Sequence, residues 1–440
     1  DMLYAIDSET DPNYNPGGWR KGLRVGNARN GEVLYFVPHH NCTGRGFSGM
    51  GGTGCMGEGV TADRAGNVYG GEVGVITGLT RCALFTPLIF KRGPSMKNRF
   101  MLAPLTNSQS HDNGVLSDEE FHWLTMRSKG GFGLTMTCAA HVQAIGQGFP
   151  GQLGIFDDKH IEGLTRLARA IKQDGSVSVC QLHHAGMRSP EDIIEQTPVC
   201  PSINEELGAR ALSISEVEEV VEDFIVAAVR AERAGFDGVE LHGAHGYLLC
   251  QFFSSETNQR EDRYGGSLVN RSRILFEILD GIRQRCHPNF LVGVRLSPER
   301  FGMKLNDSVI IAERLCNEGD IDFLDMSLWD VFKEPIEEDK QGASLLSYFT
   351  AIERGEVRLG VAGKIRTPAE VEKAFASGVD WIMLGRAAIL HHNFPELMQK
   401  EPMFEPATNP VSREYLAREG LSKNFIEYMS TWKGFVTESE

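Results

Sequence analysis

From Cys82 onward the hydrophobic pattern switches between two periods. Short runs of consecutive apolar residues, bounded by Gly, Asp or Asn, alternate with longer stretches whose apolar residues return every three to four positions. The runs predict strands at 99–103, 133–137, 177–182, 238–241, 291–296, 323–327, 357–361 and 381–384. Near-continuous apolar strands separated by helical stretches are the pattern of a parallel sheet covered by helices. The clearest helix spans 215–234. Val217, Val220, Val221, Phe224, Ile225 and Ala228 keep its 3.6-residue stripe, Ser215 and Glu218 offer a capping box, and Gly235 stops it. Eight such units predict an α/β fold, a (β/α)8 TIM barrel over 83–440. An open doubly wound sheet is the alternative, but no G-x-G-x-x-G opens its first unit.

Residues 1–80 carry no amphipathic helical pattern. Glycines crowd the segment from Gly44 to Gly59, between strand-like runs at 31–37 and 67–73. A short β-rich N-terminal extension is expected there. Its phrase GEGVTADRAGNVYGGEV resembles one blade of an NHL- or gluconolactonase-like β-propeller. One or two blades cannot bury their own faces, so the resemblance implies a remnant or docked extension.

Composition narrows the function classes. A net charge of −15, with no basic patch, argues against a nucleic-acid partner. No apolar run approaches the 18 or so residues of a membrane span. Nine cysteines without a C-x-x-C pair suggest reduced thiols and a cytoplasmic protein rather than a zinc or iron–sulfur site. The chain opens at Asp1, which leaves a lost targeting peptide open. A homodimer is compatible with the sequence.

In a barrel of this kind, chemistry sits at the C-terminal strand ends and phosphate binds after strands seven and eight. The seventh strand is followed by Gly363-Lys364-Ile365-Arg366 and then Thr367-Pro368-Ala369-Glu370, a capped helix start with Pro at its first position. The eighth ends in Gly385-Arg386. Gly363 and Gly385 let backbone N–H groups approach an anion that Lys364 and Arg386 can grip, so a phosphate cradle is expected. Strand four ends in His242, His245 and Tyr247, three side chains able to donate hydrogen bonds or protons. The alternatives are a packed tyrosine and a His-x-x-His metal pair, although no third ligand is evident and no metal is expected.

The stretch GFDGVELHGAHGYLLCQFFSSETNQREDRYGGSLVNRSR closely resembles the strand-four signature of the old yellow enzyme family of flavin-dependent reductases. Further matches follow in order along the chain. Ala103-Pro104-Leu105-Thr106 is similar to the family's segment beside the flavin ring, and Ala139 falls where the family keeps a small residue. Gln181 and His184, in QLHHAG, end strand three, and Gln181 matches the Gln on the pyrimidine edge, as Arg295 in VGVRLSP matches the Arg beside N1 and O2. A cation there would stabilise an anionic reduced flavin. The resemblance implies tightly bound, non-covalent FMN, with NADPH or NADH as hydride donor. His242 and His245 would hold the substrate oxygen, and Tyr247 would give the proton. It also implies a lid at 187–213. The 258–270 segment is equally diagnostic of the family, and its charged residues are expected to brace the βα loop and helix start rather than touch substrate. His245 stands where many members keep Asn, and Thr106 where some keep Cys, so substrate preference does not carry over. The short run after strand eight is expected to leave out the appended iron–sulfur and second-flavin domains of some branches.

The function expected is therefore an FMN-dependent ene-reductase acting on an α,β-unsaturated carbonyl or nitroalkene. A flavin-binding sensor or interaction protein, and a phosphate-binding aldolase or isomerase barrel, are the alternatives. The absence of an obvious Lys nucleophile at a strand end counts against the last.

Overall fold

The eight apolar runs pair edge to edge, all parallel, and the last closes on the first. This computed structural model describes residues 2–7, 22–27, 33–38, 59–62, 68–71, 77–318, 321–401 and 403–437. The barrel strands are β1 (Phe100–Leu102), β2 (Leu134–His141), β3 (Val177–His183), β4 (Gly238–Gly243), β5 (Leu291–Leu296), β6 (Phe323–Ser327), β7 (Arg358–Ala362) and β8 (Trp381–Leu384). The helices following them are α1 (Asp118–Lys129), α2 (Ile161–Gln173), α3 (Ile214–Arg233), α4 (Leu268–Arg285), α5 (Leu305–Glu318), α6 (Ser347–Thr350), α7 (Pro368–Phe375) and α8 (Arg386–Leu390). The fold is the (β/α)8 barrel that the alternation predicts.

Strand alternation decides what fills the barrel. Met101, Ala103, Leu134, Met136, Val177, Val179, Phe323, Ala362, Trp381 and Met383 form one interior cluster. Leu88, Phe90 and Met96, on a bridged turn before β1, join it and plug the N-terminal end. The rings of Phe90, Phe323 and Trp381 lie 5.7–6.0 Å apart there. Toward the C-terminal ends the interior turns polar, with Gln181, Glu240, Arg295 and Asp325 all buried. Gly360 makes room for this layer. A Cβ at that position would lie 2.2 Å from Trp381 Nε1 and 2.3 Å from Asp325 Oδ1.

Outside the barrel, α3 buries Val217, Val220, Phe224, Ala228 and Ala231. Its cap is Ser213 with Glu216, two residues ahead of the expected Ser215–Glu218 pair. Both pairs satisfy the capping pattern. The earlier one is used because Arg210 grips Glu216 through two hydrogen bonds of 2.7 and 3.1 Å. The Thr367–Glu370 box and Pro368 stand as expected at the start of α7.

The chain divides into Asp1–Cys82 and Ala83–Glu440. In the first unit, Met2–Asp7, Gly22–Asn27 and Val33–Pro38 form a three-stranded antiparallel sheet. Gly59–Ala62 and Val68–Gly71 pair separately as a hairpin. Two of these strands overlap the predicted runs, and the other three lack a clear alternating pattern.

Candidate active site

His242 is the penultimate residue of β4 and is buried. The chain then turns through His245 at φ 62° and Gly246 at φ 70°. A histidine in the left-handed region is strained, and here it is pinned on both sides. Its N–H donates to Ser297 Oγ at 2.9 Å, and its C=O accepts from Arg188 Nη1 at 2.5 Å. The turn brings Tyr247 back over the strand end. The His242 ring lies 5.3 Å from that of Tyr247 and 5.0 Å from that of His245.

The electrostatics set the protonation state of these groups. Burial, followed by the charges of Arg295 and Arg188, pushes His245 down to about 3. Burial, then His245, holds His242 well below the ordinary histidine value. Both imidazoles are neutral at pH 7, each with one N–H to give. His245 Nδ1 lies 3.3 Å from His242 Nε2, and its Nε2 lies 2.7 Å from Ser327 Oγ. Burial raises the Tyr247 hydroxyl, partly opposed by Arg188, whose guanidinium stands 4.7 Å over the ring. Tyr247 thus keeps its proton at neutral pH, as an acid must.

Strand three adds a residue that the QLHHAG motif obscured. Period-two alternation puts Gln181 and His183 on one side, and the ring of His183 lies 4.4 Å from Tyr247 and 5.5 Å from His242. His184 points away to Gln143, at 3.0 Å. Gln181 donates to Glu240 Oε2 at 2.5 Å. Arg295 reaches Ser327 Oγ at 3.4 Å and leaves its Nε without a partner among the described residues.

Ala103 is buried just past β1, followed by partly buried Pro104, Leu105 and Thr106. Ala139 lies in β2 beyond an irregularity after Met136. Gly363 and Gly385 follow β7 and β8, and a Cβ on Gly385 would come within 3.3 Å of Leu105. Arg386 is partly buried and makes no hydrogen bond or ion pair among the described residues. Burial, then the charge of Arg366, lowers its pKa. The ammonium of Lys364 is exposed and pairs with Asp330 at 3.2 Å.

The rim comes from loops that carry no motif. Arg300, Phe301 and Trp329 all have positive φ, and Arg300 stacks over Trp329 at 4.6 Å. With His245, Ser297 and Ser327 they line a small cleft. The 187–213 segment carries short helices and a two-residue parallel pairing of Val199–Cys200 with Arg210–Ala211. Arg260 donates to the carbonyls of Pro201 and Leu212, at 2.8 and 2.5 Å, which ties the 258–270 segment to the 187–213 segment.

Among the described residues no His, Cys, Asp or Glu cluster could hold a metal, and no helix is long and apolar enough to cross a membrane.

Residues 83–402 match the NADH:flavin oxidoreductase / NADH oxidase family. The chain is 35% identical over 322 residues to the probable NADH-dependent flavin oxidoreductase YqiG of Bacillus subtilis, covering 71% of this chain and 86% of that protein. It is 32% identical over 350 residues to the NADH:fumarate oxidoreductase of Klebsiella pneumoniae, covering 76% of this chain but 38% of that longer protein. Among solved structures, the old yellow enzyme homologue from Zymomonas mobilis superposes with a TM-score of 0.67 at 26% identity, covering 79% of this chain and 99% of that one. Morphinone reductase in complex with tetrahydroNAD gives 0.64 at 27% identity, with 78% and 97% covered.

Proposed function

The chain belongs to the NADH:flavin oxidoreductase / NADH oxidase family, and from that premise we propose that it reduces activated alkenes. It is an NAD(P)H-dependent flavin oxidoreductase and its cofactor is FMN. The residues at the strand ends fit that cofactor. Arg386 is a partly buried cation without a counter-ion among the described residues, suited to the phosphate. Gln181 and Arg295 offer an amide and an incompletely paired guanidinium to the pyrimidine edge. Ala103 through Thr106 and Ala139 would flank the ring.

When bound, FMN supplies hydride transfer from the nicotinamide to the β-carbon of the alkene. The chain's own residues hold the oxygen and move the proton. The neutral imidazoles of His242 and His245 donate hydrogen bonds to the carbonyl or nitro oxygen, which polarises the double bond. Tyr247 then delivers its proton to the α-carbon. Arg188, over the same ring, favours the phenolate left behind.

The observation that carries this reading is the meeting of two neutral imidazoles and a protonated phenol at one strand end. NAD(P)H oxidation by the purified protein tests it. Cyclohexenone or a maleimide should drive oxidation far faster than oxygen alone. Equal rates with and without the alkene would leave a flavoprotein with another role.

A further inference from the structure

Below the histidine pair lies a polar cluster that the reaction above does not use. Glu240 and Asp325 project into the barrel from β4 and β6, both at 0% exposure. Glu240 Oε2 accepts from Gln181 Nε2. Glu240 Oε1 and both oxygens of Asp325 have no hydrogen-bond partner among the described residues, and Glu240 is the neighbouring carboxyl whose charge acts on Asp325. The other polar groups around them leave these oxygens bare. Arg295 is opposite Asp325 in the strand register, but its hydrogen bond goes to Ser327. The indole N–H of Trp381 converges over Gly360 without a partner.

Two neighbouring ionised carboxylates in a dry interior would be both unsolvated and mutually repelled. One proton between them removes both penalties. We propose that Asp325 holds that proton and donates it to Glu240 Oε1, and that the resulting Asp325–Glu240–Gln181 chain is a positioning device beneath the flavin. Asp325 is the acid of the pair because Glu240 already has a donor in Gln181 and Asp325 has none. Burial first, and Glu240 second, raise the Asp325 carboxyl well above the ordinary range.

Two consequences follow for the cofactor, on the reading that FMN lies against Gln181 and Arg295. With its NH2 committed to Glu240, the Gln181 amide cannot flip, and its Oε1 is the atom left to accept from a ring N–H. The cluster also carries one positive charge, on Arg295, and one negative charge, on Glu240. Arg295 therefore faces the flavin with its charge balanced once rather than twice.

The test compares the midpoint potential of bound FMN in full-length wild type, Asp325→Asn, Glu240→Gln and the double variant. Each single amide keeps the hydrogen-bond chain and the single negative charge. In Asp325→Asn the amide replaces the O–H donor. In Glu240→Gln, Asp325 ionises against the new amide. Both potentials should stay close to wild type. The double variant removes the remaining negative charge and should favour reduced over oxidised FMN by roughly tenfold or more in relative affinity. If each single variant gives about half the shift of the double, two carboxylates are ionised and the proposal is wrong. A double variant without a shift overturns the coupling to the flavin. Infrared spectra of the wild type at pH 7 test the proton independently of variant folding. A carboxylic-acid C=O band, lost in Asp325→Asn, is expected, and its absence from wild type would overturn the pair. Neither measurement reads alkene turnover, so failure of the ene-reductase reading would leave both results standing.

Discussion

His245 shows how much of this site depends on single residues. Its left-handed backbone costs on the order of 1–3 kcal/mol, and hydrogen bonds from two other loops hold it there. The clustering of His242, His245 and Tyr247 was legible because they sit within six residues of one strand end. Their partners were not: Arg188 and Ser297 approach from the loops after β3 and β5, Ser327 is the last residue of β6, and no local pattern links them. Alternation along β3 separates His183 from His184, a signal present in the sequence but hidden by the doublet. Arg386 illustrates the opposite case, a lone side chain flagged by its place after the last strand. Its replacement by alanine should weaken FMN binding by about 1.5–3 kcal/mol, the value of hydrogen bonds to a charged group. Titration of apoprotein with FMN measures this, and an unchanged dissociation constant would move the phosphate elsewhere.

At the scale of elements, the strands were read well because burial on both faces makes each a continuous apolar run. The cap of α3 was misplaced because two Ser-x-x-Glu pairs overlap, and a tertiary contact from Arg210 chooses between them. The 187–213 segment hid its small parallel pairing, since two-residue strands have no period to detect. The start of α7 was legible to the residue, and it shapes the loop after β7 as well as the helix. Glu370 accepts from the backbone N–H of Arg366 at 2.7 Å and of Thr367 at 3.0 Å, so the box fixes the loop after β7. Thr367→Ala should cost about 1 kcal/mol of stability, the usual value of an N-cap. Chemical denaturation of the FMN-loaded protein checks it, and a neutral change would show that Glu370 alone holds the loop.

For the whole molecule, barrel architecture was legible from the count of strand–helix units, while the polar layer above the apolar plug needed the three-dimensional register. That register buries many neutral histidines. His141 and His160 fall to about 4, and His184 and His245 to about 3, chiefly by burial. Their folded values lie below the unfolded value of about 6.5, so the unfolded chain binds protons first as pH falls. The stability they allow is present above about pH 6.5 and is lost progressively below it. The thermal midpoint of FMN-saturated protein should fall steadily from pH 7 to pH 5, and a flat or rising profile would mean that these histidines are not buried neutral. Tyr247→Phe keeps the ring and its packing but deletes the hydroxyl, which the proposed chemistry needs when the alkene is reduced and not when NAD(P)H reduces the flavin. Stopped-flow absorbance follows the two half-reactions separately. Flavin reduction should stay nearly at the wild-type rate while enone reduction slows by about 10²–10⁴-fold, the span of a general acid. Equal slowing of both half-reactions, or of neither, would contradict the assignment of Tyr247 as the proton donor.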